Sequence, residues 1–180
     1  MEDKITKNTV QYPKGSEPNY IVPKEYCGYR YAIGKLGKNP LVAICMNPSA
    51  ARDETSDRTV NRIIKISEKL GKDGWVVFNT YPERATDAKN IDGFDKDLSE
   101  KNIEVIKDFI TENNITEVWA AWGDDKGIIP LRKGKEQLIP MIKDLGVNIY
   151  YYGTLTKAGN PGHPLQRREK WDLIKSKCYM

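Results

Sequence analysis

The sequence predicts an α/β protein: a central, mainly parallel four-stranded sheet in a three-layer α/β/α arrangement, plus an N-terminal hairpin strand. Two observations predict it. Four short, continuous apolar runs read as strands buried on both faces, and amphipathic helical patterns alternate with them at short loop lengths. A chain of 180 residues, 39% apolar, is also the right size for one packed core.

In chain order, residues 1–27 carry Pro13, Gly15, Ser16, Pro18 and Pro23 without periodicity, and read as an extended N-terminal arm. Residues 28–180 read as a single α/β domain. Tyr29 to Ile33 is β-prone and Leu41 to Met46 is continuously apolar, which suggests a hairpin feeding a buried strand that stops at Asn47-Pro48-Ser49. A helix follows, capped by Ser56 or Asp57, with Val60, Ile63, Ile64 and Leu70 on one face. Trp75 to Phe78 is the second buried strand. The next helix places Leu98, Ile103, Ile106, Phe109 and Ile110 at helical spacing after the box-like Asp97-Leu98-Ser99-Glu100. Val118 to Trp122 is the third strand; Glu136 to Leu145 is helical by pattern, with Pro140 kinking it or marking its start. Val147 to Tyr152 is the fourth strand, and a loop to Pro164 leads into a basic, helical-looking stretch from Gln166 to Lys177.

Composition narrows the function classes. No apolar run reaches membrane-spanning length and the polar start has no secretory h-region, so a soluble cytoplasmic protein with no membrane partner is expected. Cys27, Cys45 and Cys178 are far apart and in no metal-binding or redox spacing, and the chain has a single histidine; neither a metal nor a cofactor is expected. Cys45 and the tryptophans Trp75, Trp119 and Trp122 read as core, and Trp171 as packing for the terminal helix. A net charge of +4 permits an anionic partner without demanding one. The absence of a Gly-rich phosphate loop or a Gly-x-Ser-x-Gly turn argues against NTPases and the usual serine hydrolases.

In a parallel sheet covered on both faces, ligands collect outside the carboxyl ends of the strands. Here each strand end is rich in groups that bind or react. The first carries Asn47, Pro48 and Ser49, with Arg52 and Asp53 beyond; the second carries Asn79, Tyr81 and Arg84; the third Gly123 and Asp124; the fourth His163 and Leu165. Taken singly, each has a plain structural reading: Asn-Pro-Ser initiates turns and Asn79 caps one, while Arg52 and Arg84 either neutralise a phosphate or pair with the neighbouring Asp53 and Glu83. The basic run Arg167, Arg168, Lys170, Lys175 and Lys177 reads as a solvated face. The convergence is what points to a site.

Met46-Asn47-Pro48-Ser49-Ala50, Asp57-Arg58-Thr59-Val60, Phe78-Asn79-Thr80-Tyr81-Pro82, Arg84-Ala85-Thr86-Asp87, Ala121-Trp122-Gly123 and Gly162-His163-Pro164-Leu165 follow Tyr29-Arg30-Tyr31 in order. Over about residues 28 to 165 this resembles a bacterial and phage family, domain of unknown function 1643. More distantly, the motif order is similar to the uracil-DNA glycosylase superfamily, which implies that superfamily's fold and an N-glycosidic hydrolase acting on DNA or a nucleotide. On that resemblance Asn47-Pro48 matches the water-activating loop, Asn79 the base-reading asparagine and His163-Pro164 the late loop that stabilises the leaving base. Asn47 stands where some members have Asp, Ser49 where Gly is usual, and Leu165 where Ser is usual. An amide cannot accept a proton as a carboxylate does, so Asp53 or Asp57 is needed in the same pocket to assist. The expected partner is a nucleobase, nucleotide or DNA. The alternative is a non-catalytic module that captures a nucleotide or signalling molecule with the same loops. A hydrolase or transferase of another kind on the same frame is a third reading, because fold does not fix function.

Overall fold

The structure is a computed structural model that describes residues 9–166 and 175–176. It is a mixed α/β fold with a seven-stranded sheet in the order β2-β3-β6-β4-β7-β8-β9. The strands are β2 (Tyr20–Val22), β3 (Ala32–Lys35), β4 (Pro40–Cys45), β6 (Gly74–Asn79), β7 (Glu117–Ala120), β8 (Asn148–Tyr152) and β9 (Lys175–Ser176). β6, β4, β7 and β8 are mutually parallel, as the continuous apolar runs require. A two-residue strand β1 (Thr9–Val10) pairs with β5 (Ser56–Asp57) in a separate ribbon.

Two sequence expectations are corrected. The N-terminal antiparallel pair forms between β2 and β3, and β3 continues onto β6 rather than β4. The reason lies in β4 itself: Leu41 to Cys45 is buried along its whole length, which suits a central position between β6 and β7 and leaves no free edge for a hairpin partner. Within the N-terminal segment, Tyr20–Val22 form an edge strand of the sheet. Lys175–Ser176 pair with β8 where helix was expected; the rest of that stretch, with Trp171 and Cys178, lies outside the described residues.

Helix α1 (Arg58–Lys69) is capped by Asp57, whose Oδ1 accepts the Val60 amide at 2.9 Å. Helix α2 (Lys96–Glu112) is capped by Asp95, not Asp97, because the Asp95 carboxylate is the one that reaches the Leu98 amide, at 3.0 Å. Ser99 is buried and donates instead to Gln137 on α3, at 2.8 Å. Helix α3 (Ile129–Asp144) starts a full two turns earlier than its pattern suggests. Pro130 in its first turn disguises it as loop, although a proline costs nothing where the amides have no helical partner. Gly134 adds to the disguise; it is there because a Cβ would collide with the Thr80 carbonyl oxygen.

Alternate strand residues enter two apolar clusters, as the period-two pleat dictates. Leu41, Ala43, Val77 and Trp119 pack with Val60, Ile63 and Ile64 of α1. Val42, Ile44, Phe78 and Val118 pack with Ile106, Phe109, Leu138 and Ile142 of α2 and α3. The crossover from β4 to β6 runs one way along the sheet, and those from β6 to β7 and β7 to β8 run the other way. Right-handed crossovers then send the loops after β4 and β7 apart and open a crevice between these neighbours at their carboxyl ends.

Candidate functional site

A cleft of about 530 Å³ occupies that crevice. Asn47, Asn79, Gly123, Asp124 and His163, brought from the ends of all four parallel strands, line it together with Ser49 and Leu165.

The loop after β4 is stitched to the loop after β6 by an exchange of backbone and side-chain bonds. Thr80 donates its amide to the Cys45 carbonyl at 2.9 Å and its hydroxyl to the Met46 carbonyl at 2.7 Å. The Ala85 amide reaches the Pro48 carbonyl at 3.0 Å. Asn47 completes the seam: its Nδ2 donates to the Ala85 carbonyl at 2.8 Å and the Pro48 carbonyl at 3.0 Å. Carbonyls only accept, so both hydrogens of the amide are committed and the group Asn47 has left to offer is Oδ1, an acceptor.

Asn79 closes β6, opposite Cys45 in the sheet register. It is 1% exposed and its backbone carbonyl is held by Asn102 Nδ2 at 3.0 Å, yet its own side-chain Nδ2 has no partner. A buried donor left unmade is costly, and this one belongs to a residue that lines the cleft.

His163 reaches the cleft from the loop after β8. Gly123, at φ +71°, permits its approach: a Cβ there would sit 3.0 Å from the His163 Cβ. Asp124 anchors the loop, its Oδ1 accepting from Thr156 at 2.6 Å and Asn160 at 2.8 Å, while Lys135 joins Asn160 to Asp125. The Leu165 amide donates to His163 Nδ1 at 3.2 Å. Nδ1 is thus the acceptor nitrogen, and the neutral ring carries its proton on Nε2. Burial holds the imidazole below its ordinary pKa, against a smaller opposing pull from the Asp57 carboxylate.

The other expected residues divide. Asp53 is exposed, accepts the Glu54 amide at 3.0 Å, and is not in the cleft wall; the loop turns it outward to solvent. Asp57 takes the place argued for it, buried and lining the cleft. Pro48 acts through its carbonyl, as above. Tyr81 is fully buried away from the cleft, its hydroxyl accepting the Asp95 amide at 2.9 Å. Arg84 is not in the cleft wall: it donates to the Ser49 and Ala51 carbonyls at 2.9 and 3.1 Å and lies over the Tyr26 ring, with Arg52 on the same ring. Cys45 is core, and burial pushes its thiol up to about 12.

Arg30, Arg58 and Lys126 also line the cleft and carried no role in the sequence reading. Arg30 is 1% exposed, in a Tyr-Arg-Tyr run whose β-propensity gives no hint that the charged residue is buried along with Tyr31. Arg58 stands directly after the helix cap, a position the sequence does mark. Among the described residues no cluster of His, Cys, Asp and Glu is placed to hold a metal ion, and no helix is long and apolar enough to cross a membrane.

No curated protein and no solved structure matches the chain. Residues 30–165, well over half of the sequence and the whole span of the cleft-forming loops, match the family described as protein of unknown function (DUF1643), and the chain belongs to that family.

Proposed function

We propose that the cleft grips a nucleobase or nucleotide and that the protein is an N-glycosylase of uracil-DNA glycosylase type, on an α/β/α frame of that kind. The observation that carries this reading is the buried, unpartnered Nδ2 of Asn79 in the cleft wall. A heterocycle edge with a carbonyl oxygen would satisfy it, as an amide reading a flipped or free base does.

The remaining groups suit the same chemistry. Cleaving an N-glycosidic bond leaves a cationic sugar and an anionic base. The Oδ1 of Asn47 holds a water against the sugar. Water adds its hydroxyl to the anomeric carbon as the bond to the base nitrogen breaks, and the departing base takes the electron pair. The Nε2 proton of His163 donates to the base oxygen where charge develops, and a neutral imidazole does this without carrying a full charge into the ground state. Asp57 supplies the negative charge that Asn47 lacks: its oxygens are held by the Val60 and Ala51 amides, so it stabilises the sugar cation from a fixed position while the water proton leaves to solvent.

The test is base release. The protein is incubated with uracil-containing and modified-pyrimidine DNA and with free nucleotides, and the liberated base is separated and quantified. Release is expected, with His163→Ala lowering its rate by about a hundred- to a thousandfold, the range for losing one charge-stabilising donor. Release that is unchanged in both His163→Ala and Asn79→Ala would overturn the assignment. A second reading, a binding module without cleavage, is favoured by one observation: the water-positioning residue is an amide whose Nδ2 is locked into the scaffold. Ligand-dependent thermal stabilisation with no product would select it.

A further inference from the structure

We propose that the cleft contains a phosphate subsite built from Arg30, the first turn of α1 and Lys126, and that the ligand is therefore a free nucleoside monophosphate rather than a base within duplex DNA. The base half of this statement rests on the function proposed above; the phosphate half stands on separate observations.

Arg30 is the anchor. It is 1% exposed and lines the cleft, and among the described residues no carboxylate lies within 4.0 Å of its guanidinium. Its Nη1 is held by the Ala51 carbonyl at 2.5 Å, while its Nε has no partner. A buried cation without a counter-ion is unfavourable. The strain registers in its acidity: burial first, and then the neighbouring Arg84, bring the guanidinium down to about 10. Asp57 attracts it from a distance, but both carboxylate oxygens are already taken, by the Val60 amide at 2.9 Å and the Ala51 amide at 3.3 Å. An anionic ligand would give Arg30 the partner that the protein withholds.

The surroundings suit an anion. α1, twelve residues long, begins at the cleft, with Arg58, Thr59 and Val60 in its wall. The amides and dipole of a helix start favour negative charge. Lys126, also in the cleft wall, is held at φ +52°, a left-handed conformation that ordinarily selects glycine or asparagine. The two carboxylates of the wall, Asp57 and Asp124, are engaged internally, Asp124 by Thr156 and Asn160. Arg58 is exposed and makes no ion pair among the described residues.

Size and charge choose between the two sources of phosphate. The cleft of about 530 Å³ falls within the range of small-ligand pockets, about 300–1,000 Å³. Duplex binding draws on many phosphate contacts spread along a surface, whereas here the cations gather within one cleft.

The experiment is titration calorimetry on the full chain with five probe types: the common nucleosides, their 5′-monophosphates, inorganic phosphate, and uracil-containing single-stranded and duplex oligonucleotides. One monophosphate is expected to bind at least about tenfold more tightly than its nucleoside, the worth of a pair of charge-assisted hydrogen bonds. Arg30→Gln, Arg58→Ala and Lys126→Gly should each bring that ratio toward one. Arg58 and Lys126 are exposed, and glycine suits the Lys126 backbone, so these two variants decide the matter if Arg30→Gln does not fold. Equal affinity for nucleosides and monophosphates, or tighter binding of either oligonucleotide, would overturn the proposal. Failure of the base reading looks different: inorganic phosphate would bind as well as any monophosphate and Asn79→Ala would change nothing, while Arg58→Ala still weakened the phosphate.

Discussion

His163 lies where burial disfavours its charged form, with the Asp57 carboxylate drawing weakly the other way. The unfolded chain binds this proton near the ordinary value, about 6.5, and the folded chain only at lower pH. Stability is therefore full above about 6.5, falls as pH drops from there to the lowered folded value, and levels off below it. Melting temperatures measured across that window should decline less steeply in His163→Gln than in the parent chain; an identical decline in both would remove the imidazole from the account. Single residues were also where sequence reading was least complete. The Asn-Pro turn and Asn79 are legible because each ends an apolar run, and His163 because it is the single histidine of the loop that follows one; a strand end has a definite place in a parallel sheet. Arg30 was not, since alternation along β-prone Tyr29-Arg30-Tyr31 cannot say that its charged member faces inward. Between Asp53 and Asp57 the choice depended on how the loop folds, and only Asp57 had a local reason, its cap, to be fixed in place.

At the level of elements, α3 is held against the end of β6 by the absence of a side chain. Gly134 is buried, and a methyl group there would meet the Thr80 carbonyl, whose residue ties β6 to the Asn47 loop through Cys45 and Met46. Replacing a helical glycine by alanine ordinarily stabilises by about 1 kcal/mol. Here overpacking of about 1–3 kcal/mol wins, so Gly134→Ala should lower stability in denaturant titration and weaken ligand binding. A stabilised Gly134→Ala protein with intact binding would mean that α3 does not set the position of the site. The same glycine explains why the sequence pattern starts the helix late: Pro130 and Gly134 are loop signals in a sequence, and their place inside a helix depends on its first turn and on tertiary neighbours. The strongly amphipathic α1 and α2 carried no such conflict, and only the cap of α2 was displaced, because Asp95 and Asp97 are equally able caps until geometry selects one.

For the whole molecule, the sequence made the four parallel strands legible but not their order. Nothing local places β4 between β6 and β7 or sends β3 to β6, since strand order depends on contacts between segments far apart in the chain. The convergence followed anyway, because a parallel sheet gathers every strand's following loop at one edge whatever the order. The proposed function depends on that convergence of loops remote along the chain onto one ligand. Hydrogen–deuterium exchange, with and without saturating nucleoside monophosphate, tests it most directly. The account predicts simultaneous slowing at residues 47–60, 79–86, 123–126 and 156–165, the segments that frame the cleft. Protection confined to one of these segments, or none with any nucleotide, would contradict it.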